Sequence, residues 1–120
     1  MRDRYAYCKV FVKDDQPVEL PAVPGLHFDH VRNKTATGPT AEEWRREHSH
    51  VYADPDDDFI LWPRFIDVYT DDEETGDPAI VPAVAQLLRD LWGAGRPAIA
   101  ACDFEDELPW SGGITRLQRR

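Results

Sequence analysis

The chain has 120 residues and a formal charge of −9, from 23 acidic against 14 basic side chains. That is the length of one domain, with a surface that repels nucleic-acid phosphates and anionic membranes, so a charged partner is expected to be a basic protein. Its longest apolar runs, 78–85 and 97–102, fall well short of the roughly 20 residues that a membrane-spanning helix needs.

The opening MRDRYAYCKV is charged and runs into an alternating segment, without the apolar centre and cleavage site of a secretory signal, which predicts a cytoplasmic protein. From Tyr5 to Val12, Tyr5, Tyr7, Lys9 and Phe11 fall on one side and Ala6, Cys8, Val10 and Val12 on the other, the period-two pattern of a strand. Residues 14–25 hold three prolines and a glycine and read as an irregular connection. Leu26–Asn33 alternates again and is expected to be a second strand, on which His27 and His30 point to opposite faces and make a poor pair of metal ligands.

In the segment 35–58, Thr40 and Glu43 fit a capping box for a short helix through Trp44 and Arg46, and a loop fits equally. Here His48 and His50 stand two apart; on a strand they would share a face, where Zn²⁺ chelation with Asp54 as a third ligand is the functional alternative to a polar surface segment. Residues 59–70, FILWPRFIDVYT, are rich in aromatic and β-branched side chains and predict a strand, with Pro63 marking an edge or a bulge because it removes a ladder donor.

After the acidic turn 71–77, Val84, Leu87, Leu88 and Leu91 fall at i, i+3, i+4 and i+7 ahead of Gly93 and Gly95, which predicts an amphipathic helix over about 81–93 with Pro82 in its first turn. Residues 97–102 are short and apolar, as a strand covered on both faces would be. Strand, helix and return strand make a β-α-β-like unit, and the fold class expected is α+β: a small mixed sheet with one main helix packed on one face, in a single domain with a polar tail over about 112–120. Cys8 and Cys102, far apart and each in an apolar run, read as buried reduced thiols and not as a disulfide framework.

Thirteen of the 23 acids lie in three blocks, 54–58, 71–77 and 103–107. The last follows the return strand, where ligand-binding groups collect in α/β sheets. Its spacing fits no calcium loop, and the readings for Asp103, Glu105, Asp106 and Glu107 are a solvated loop anchored by Phe104 and Leu108, a docking surface with Trp110 as an aromatic anchor, or, last, paired carboxylates for acid–base or metal chemistry. No serine or cysteine sits in a nucleophile-elbow context and SGG at 111–113 lacks phosphate-loop spacing, so no catalytic residue and no cofactor is expected.

FILWPRFIDVY, VPAVAQLLRDLWGAG and AIAACDFEDELPWSGG, with CDFEDELP the most distinctive, together resemble a pattern in small uncharacterised bacterial proteins, some of them similar to immunity proteins encoded beside polymorphic toxins. The likeness covers about residues 59–113 and implies an acidic, non-enzymatic inhibitor of a basic toxin domain. The alternatives from other classes are a small metal-dependent enzyme using His48 and His50 with nearby carboxylates, and a small-molecule-binding domain.

Overall fold

The computed structural model describes residues 3–33, 59 and 62–114. The alternating amino-terminal segment forms strand β1 (Tyr7–Val12), followed by β2 (Leu26–Arg32), β3 (Arg64–Thr70), helix α1 (Ile80–Gly93) and β4 (Ala98–Cys102). A 3₁₀ turn, Glu105–Glu107, and an irregular turn with left-handed backbone, Pro109–Gly113, close the described chain. The four strands make one sheet in the order β2-β3-β1-β4, with every neighbouring pair antiparallel. Because β1 is antiparallel to both β3 and β4, those two run parallel to each other, and α1 joins them across the intervening strand. The β-α-β-like unit is therefore present, split by β1. The protein is α+β, and no helix among the described residues is long and apolar enough to cross a membrane.

Register sorts the side chains into two faces. Cys8, Val10 and Val12 stand beside Val68, Ile66 and Ala98 or Ala100, and α1 covers this side with Ile80, Val84, Leu87, Leu88 and Leu91, all nearly or fully buried. On the other side Phe11, Ile99 and Trp62 form a second buried cluster, joined by Phe59, Phe65 and Ile114. Trp62 is thus a core residue, but it lies outside the strand. Strand β3 starts only at Arg64, after Pro63, because the proline has no N–H to give a ladder. The carbonyls of Trp62 and Pro63 accept instead from the side chain (2.7 Å) and backbone N–H (2.8 Å) of Asn33 at the end of β2.

Pro82 occupies the first turn of α1, where its missing N–H has no intrahelical partner to lose. The helix ends in a Schellman arrangement: the N–H of Arg96 reaches the Leu91 carbonyl at 2.9 Å, that of Gly95 reaches Trp92 at 3.0 Å, and Gly95 supplies the left-handed conformation at φ 76°. Arg96, so placed, grips the turn that leaves β1. Its guanidinium donates to both Asp14 carboxylate oxygens, at 2.7 and 2.8 Å, and to the carbonyls of Gln16 and Pro17. This clamp seats the proline-rich connection on the helix, where Val18, Leu20 and Val23 pack against the core. The hydrogen bond from Arg96 holds the Asp14 carboxyl below the ordinary aspartate range.

Residues 112–114, expected from sequence to begin a tail, are packed. Gly112 and Gly113 are buried against the outer side of β4, and a Cβ on them would stand 2.8 Å from the Ala100 carbonyl oxygen and 2.6 Å from that of Ala98. The segment thereby covers an edge strand that would otherwise offer unpaired backbone groups. Trp92 contributes from the helix, its indole N–H donating to the Ala98 carbonyl at 3.0 Å.

Two stability measurements test this architecture. Gly113→Ala adds a clash with backbone at a left-handed position and is expected to cost about 2–4 kcal/mol by urea denaturation. Arg96→Ala is expected to cost about 2 kcal/mol at pH 7, after discounting for partial exposure. Since the folded Asp14 pKa is depressed, the ion-pair part of that cost is fully present above about pH 4 and lost as pH falls through the folded value, so the gap between wild type and variant should narrow at pH 3.

Candidate functional site

The carboxyl ends of β3 and β4 lie at the same end of the sheet, since the two strands are parallel. Each is followed at once by an acidic segment, 71–77 after β3 and 103–107 after β4. Residues 3–5, which lead into β1 at this same end, tie the two together. The Asp3 N–H donates to the Glu73 carbonyl at 2.8 Å and the Asp77 N–H to the Tyr5 carbonyl at 3.1 Å. On the other side, Arg4 pairs with Asp106 at 2.5 Å and Glu107 at 3.0 Å, and the Tyr5 hydroxyl donates to Glu107 at 2.9 Å.

The five predicted docking residues are not equivalent. Glu105 turns inward, accepting the Cys102 N–H at 3.1 Å, and so caps the turn that leaves β4. Asp106 and Glu107 are engaged by Arg4 yet keep much of their surface in solvent, 74% and 38% of the side chain. Asp103 is exposed, and Trp110 keeps 44% of its surface exposed. Phe104, fully buried, and Leu108 anchor the loop into the core from below, as the sequence predicts.

Trp110 and Ser111 both adopt left-handed backbone, at φ 55° and 51°, a conformation that costs roughly 1–2 kcal/mol for each non-glycine residue. The two glycines that follow, seated against β4, and the anchored Leu108 before them determine this path. The Trp110 ring is thus presented from a turn fixed at both ends.

Acid predominates here: among the described residues, the basic side chains at this end are Arg4 and His27. Most of the described arginines and a lysine lie at the opposite end, where Lys13, Arg32, Arg64 and Arg96 flank Asp14 and Asp15. Helix α1 starts at the acidic end and finishes at the basic one, so its dipole is favourably placed between them.

On the sheet face away from α1, a polar network borders the acidic end. His27 stacks on Tyr69 with ring centroids 5.1 Å apart and pairs with Asp71. Asp29 and Asp67 stand directly opposite each other, a like-charge pairing relieved because the Tyr69 hydroxyl donates to Asp29 at 2.8 Å and the Tyr7 hydroxyl to Asp67. Lys9, opposite Asp67 on the other side, also lies 4.3 Å from the Phe65 ring centre. A cavity of about 340 Å³ opens beside His27, Tyr69 and Asp71. Sequence reasoning missed this network, although the alternation that puts Tyr7 and Lys9 on one face was its available signal.

His27 and His30 do lie on opposite faces. Burial, with Arg64 and Arg96 nearby, holds the His30 imidazole below its ordinary pKa. His48, His50 and Asp54, the candidate metal ligands, lie outside the described residues, as does the possible helix over 40–46. Among the described residues no group of three or more histidine, cysteine or acidic side chains is placed to hold a metal ion. A larger groove of about 550 Å³ runs between the proline-rich connection and α1, lined by Val18, Leu20, Leu87 and Leu91. Glu19, Gln86, Asp90 and Arg96 also line it, with Gln86 donating to Asp90 at 2.8 Å and Arg96 engaged by Asp14.

No protein-family model, no curated protein and no solved structure matches the chain.

The hydrogen bond to Asp29 raises the Tyr69 phenol above its ordinary pKa. The associated stability is present below about pH 10 and lost as pH rises through the folded value, so Asp29→Asn should move one phenol back toward its ordinary midpoint in an ultraviolet difference titration. Arg4→Ala, by contrast, breaks exposed pairs only, and its urea midpoint should stay close to that of the wild type.

Proposed function

We propose that the protein is a non-enzymatic, cytoplasmic interaction protein of the immunity type, which binds a basic partner protein through the acidic end of its sheet. The observation that carries this reading is the convergence of the 71–77 and 103–107 segments at one end, with Trp110 exposed on the same loop system. A concentrated negative field accelerates encounter with a basic surface and disfavours acidic competitors. An aromatic side chain held by a rigid turn supplies contact area at low entropic cost, the usual property of an interface anchor.

The geometry also divides the labour within the cluster. Asp103, Glu73 and Glu74 are exposed, while Asp71 pairs with His27 and the Asp77 side chain accepts the Ala79 N–H at the start of α1. Asp106 and Glu107 serve both the surface field and the tether to Arg4, and Glu105 supports the loop backbone. Removing Glu105 therefore acts on loop structure, whereas reversing Asp103 or Glu74 acts on the field alone.

Affinity capture from a lysate of the encoding organism tests this, with the Asp103→Lys, Glu74→Lys double variant as control. The expected result is a basic protein retained by the native chain, released as salt is raised and lost by the variant, while both chains unfold at the same urea midpoint. Equal retention by both, or no basic protein retained by either, would remove the proposal.

A further inference from the structure

The two cysteines, separated by most of the sequence, are direct partners. Cys8 stands opposite Cys102 in the terminal pair of the antiparallel β1–β4 ladder, and both project to the helix-covered side along with Val10 and Ala100. Opposed residues in such a ladder have Cα atoms roughly 4.5–5.5 Å apart, within the range a disulfide spans. We propose that Cys8 and Cys102 form a reversible thiol–disulfide couple, oxidised by low-molecular-weight disulfides to a cross-strand bridge and returned to the dithiol by thiols.

The pair is asymmetric in the way such a couple requires. Cys8 has no exposed surface, whereas Cys102, at the end of its strand, is only partly buried. The Cys8 thiol donates to the Cys102 sulfur, and the Phe104 N–H does likewise, which lowers the Cys102 pKa, while burial raises that of Cys8. Both effects favour the thiolate at Cys102, the more accessible sulfur. Cys102 thiolate attacks one sulfur of a small disulfide, forming a mixed disulfide and expelling one thiolate. Cys8 then attacks the Cys102 sulfur, releasing the second small thiol, which carries away the Cys8 proton. Two protein thiols are oxidised and one small disulfide is reduced to two thiols. The new bond joins the strands at the point where the 103–107 loop departs, so oxidation braces the base of that loop, whatever the loop binds.

Glutathione serves as the probe. The folded full-length chain is equilibrated in buffers of graded reduced-to-oxidised glutathione ratio, quenched with acid, alkylated and weighed. The expected product under oxidising ratios is a monomer lighter by two hydrogens, with the peptides of Cys8 and Cys102 linked and a Tm raised by roughly 10 °C that dithiothreitol reverses. Cys8→Ser should instead trap one glutathione on Cys102, and Cys102→Ser should leave Cys8 unmodified until urea is added. The proposal is overturned if both thiols stay free to alkylate at every ratio, if the bridge forms only in denaturant, or if oxidation gives disulfide-linked dimers.

Discussion

The fold depends on the two-sided pairing of β1. This strand hydrogen-bonds to β3 along one edge and to β4 along the other, and its Cys8, Val10 and Val12 form the floor on which α1 rests. Insert a strand antiparallel to both neighbours and those neighbours become parallel, so the helix between them must cross the sheet lengthwise and bring the chain back to start β4 where β3 also started. Everything at the two ends of the molecule follows. The carboxyl ends of β3 and β4 lie at one end, flanking the entry to β1, and the starts of both strands, with the exit from β1, lie at the other.

Charge is sorted by this topology. The acidic segments that follow two strands remote in sequence become one surface, and Arg32, Arg64 and Arg96 become another. Repulsion within the acidic surface is contained in three ways. Arg4 bridges Asp106 and Glu107, the Asp77 side chain accepts the Ala79 N–H at 2.9 Å at the start of α1, and the helix directs its positive end toward the same region. At the basic end, Arg96 and Arg64 have Asp14 and Asp15 as partners. The polar rows on the sheet face away from α1 follow the same logic, with tyrosine hydroxyls inserted where two aspartates would otherwise oppose each other unrelieved.

Local patterns in the sequence were sufficient for the elements whose burial is periodic. Helix α1 is legible from Val84, Leu87, Leu88 and Leu91 and its glycine stop, β1 from its alternation, and the anchoring of the acidic loop from Phe104 and Leu108. Pro63 announced an interruption but not its form, because whether a proline breaks, bulges or precedes a strand depends on the carbonyl partners that Asn33 supplies from elsewhere. The glycines at 112 and 113 looked like a tail because their packing is made by backbone against β4 and leaves no side-chain pattern. Long-range pairings were illegible for the same reason. Nothing local to Cys8, Asp29 or Arg4 records that Cys102, Tyr69 or Asp106 stands opposite.

The pairing of Cys8 with Cys102 also sets when this chain can fold during synthesis. Until β4 and the Gly112–Gly113 segment leave the ribosome, β1 has only one of its two neighbours, α1 has only part of its floor, and the inner edge of the sheet is open. The first strand made must wait for the last, and an antiparallel β2-β3-β1 sheet with an exposed apolar face is the species that a stalled or truncated chain would present to chaperones and proteases.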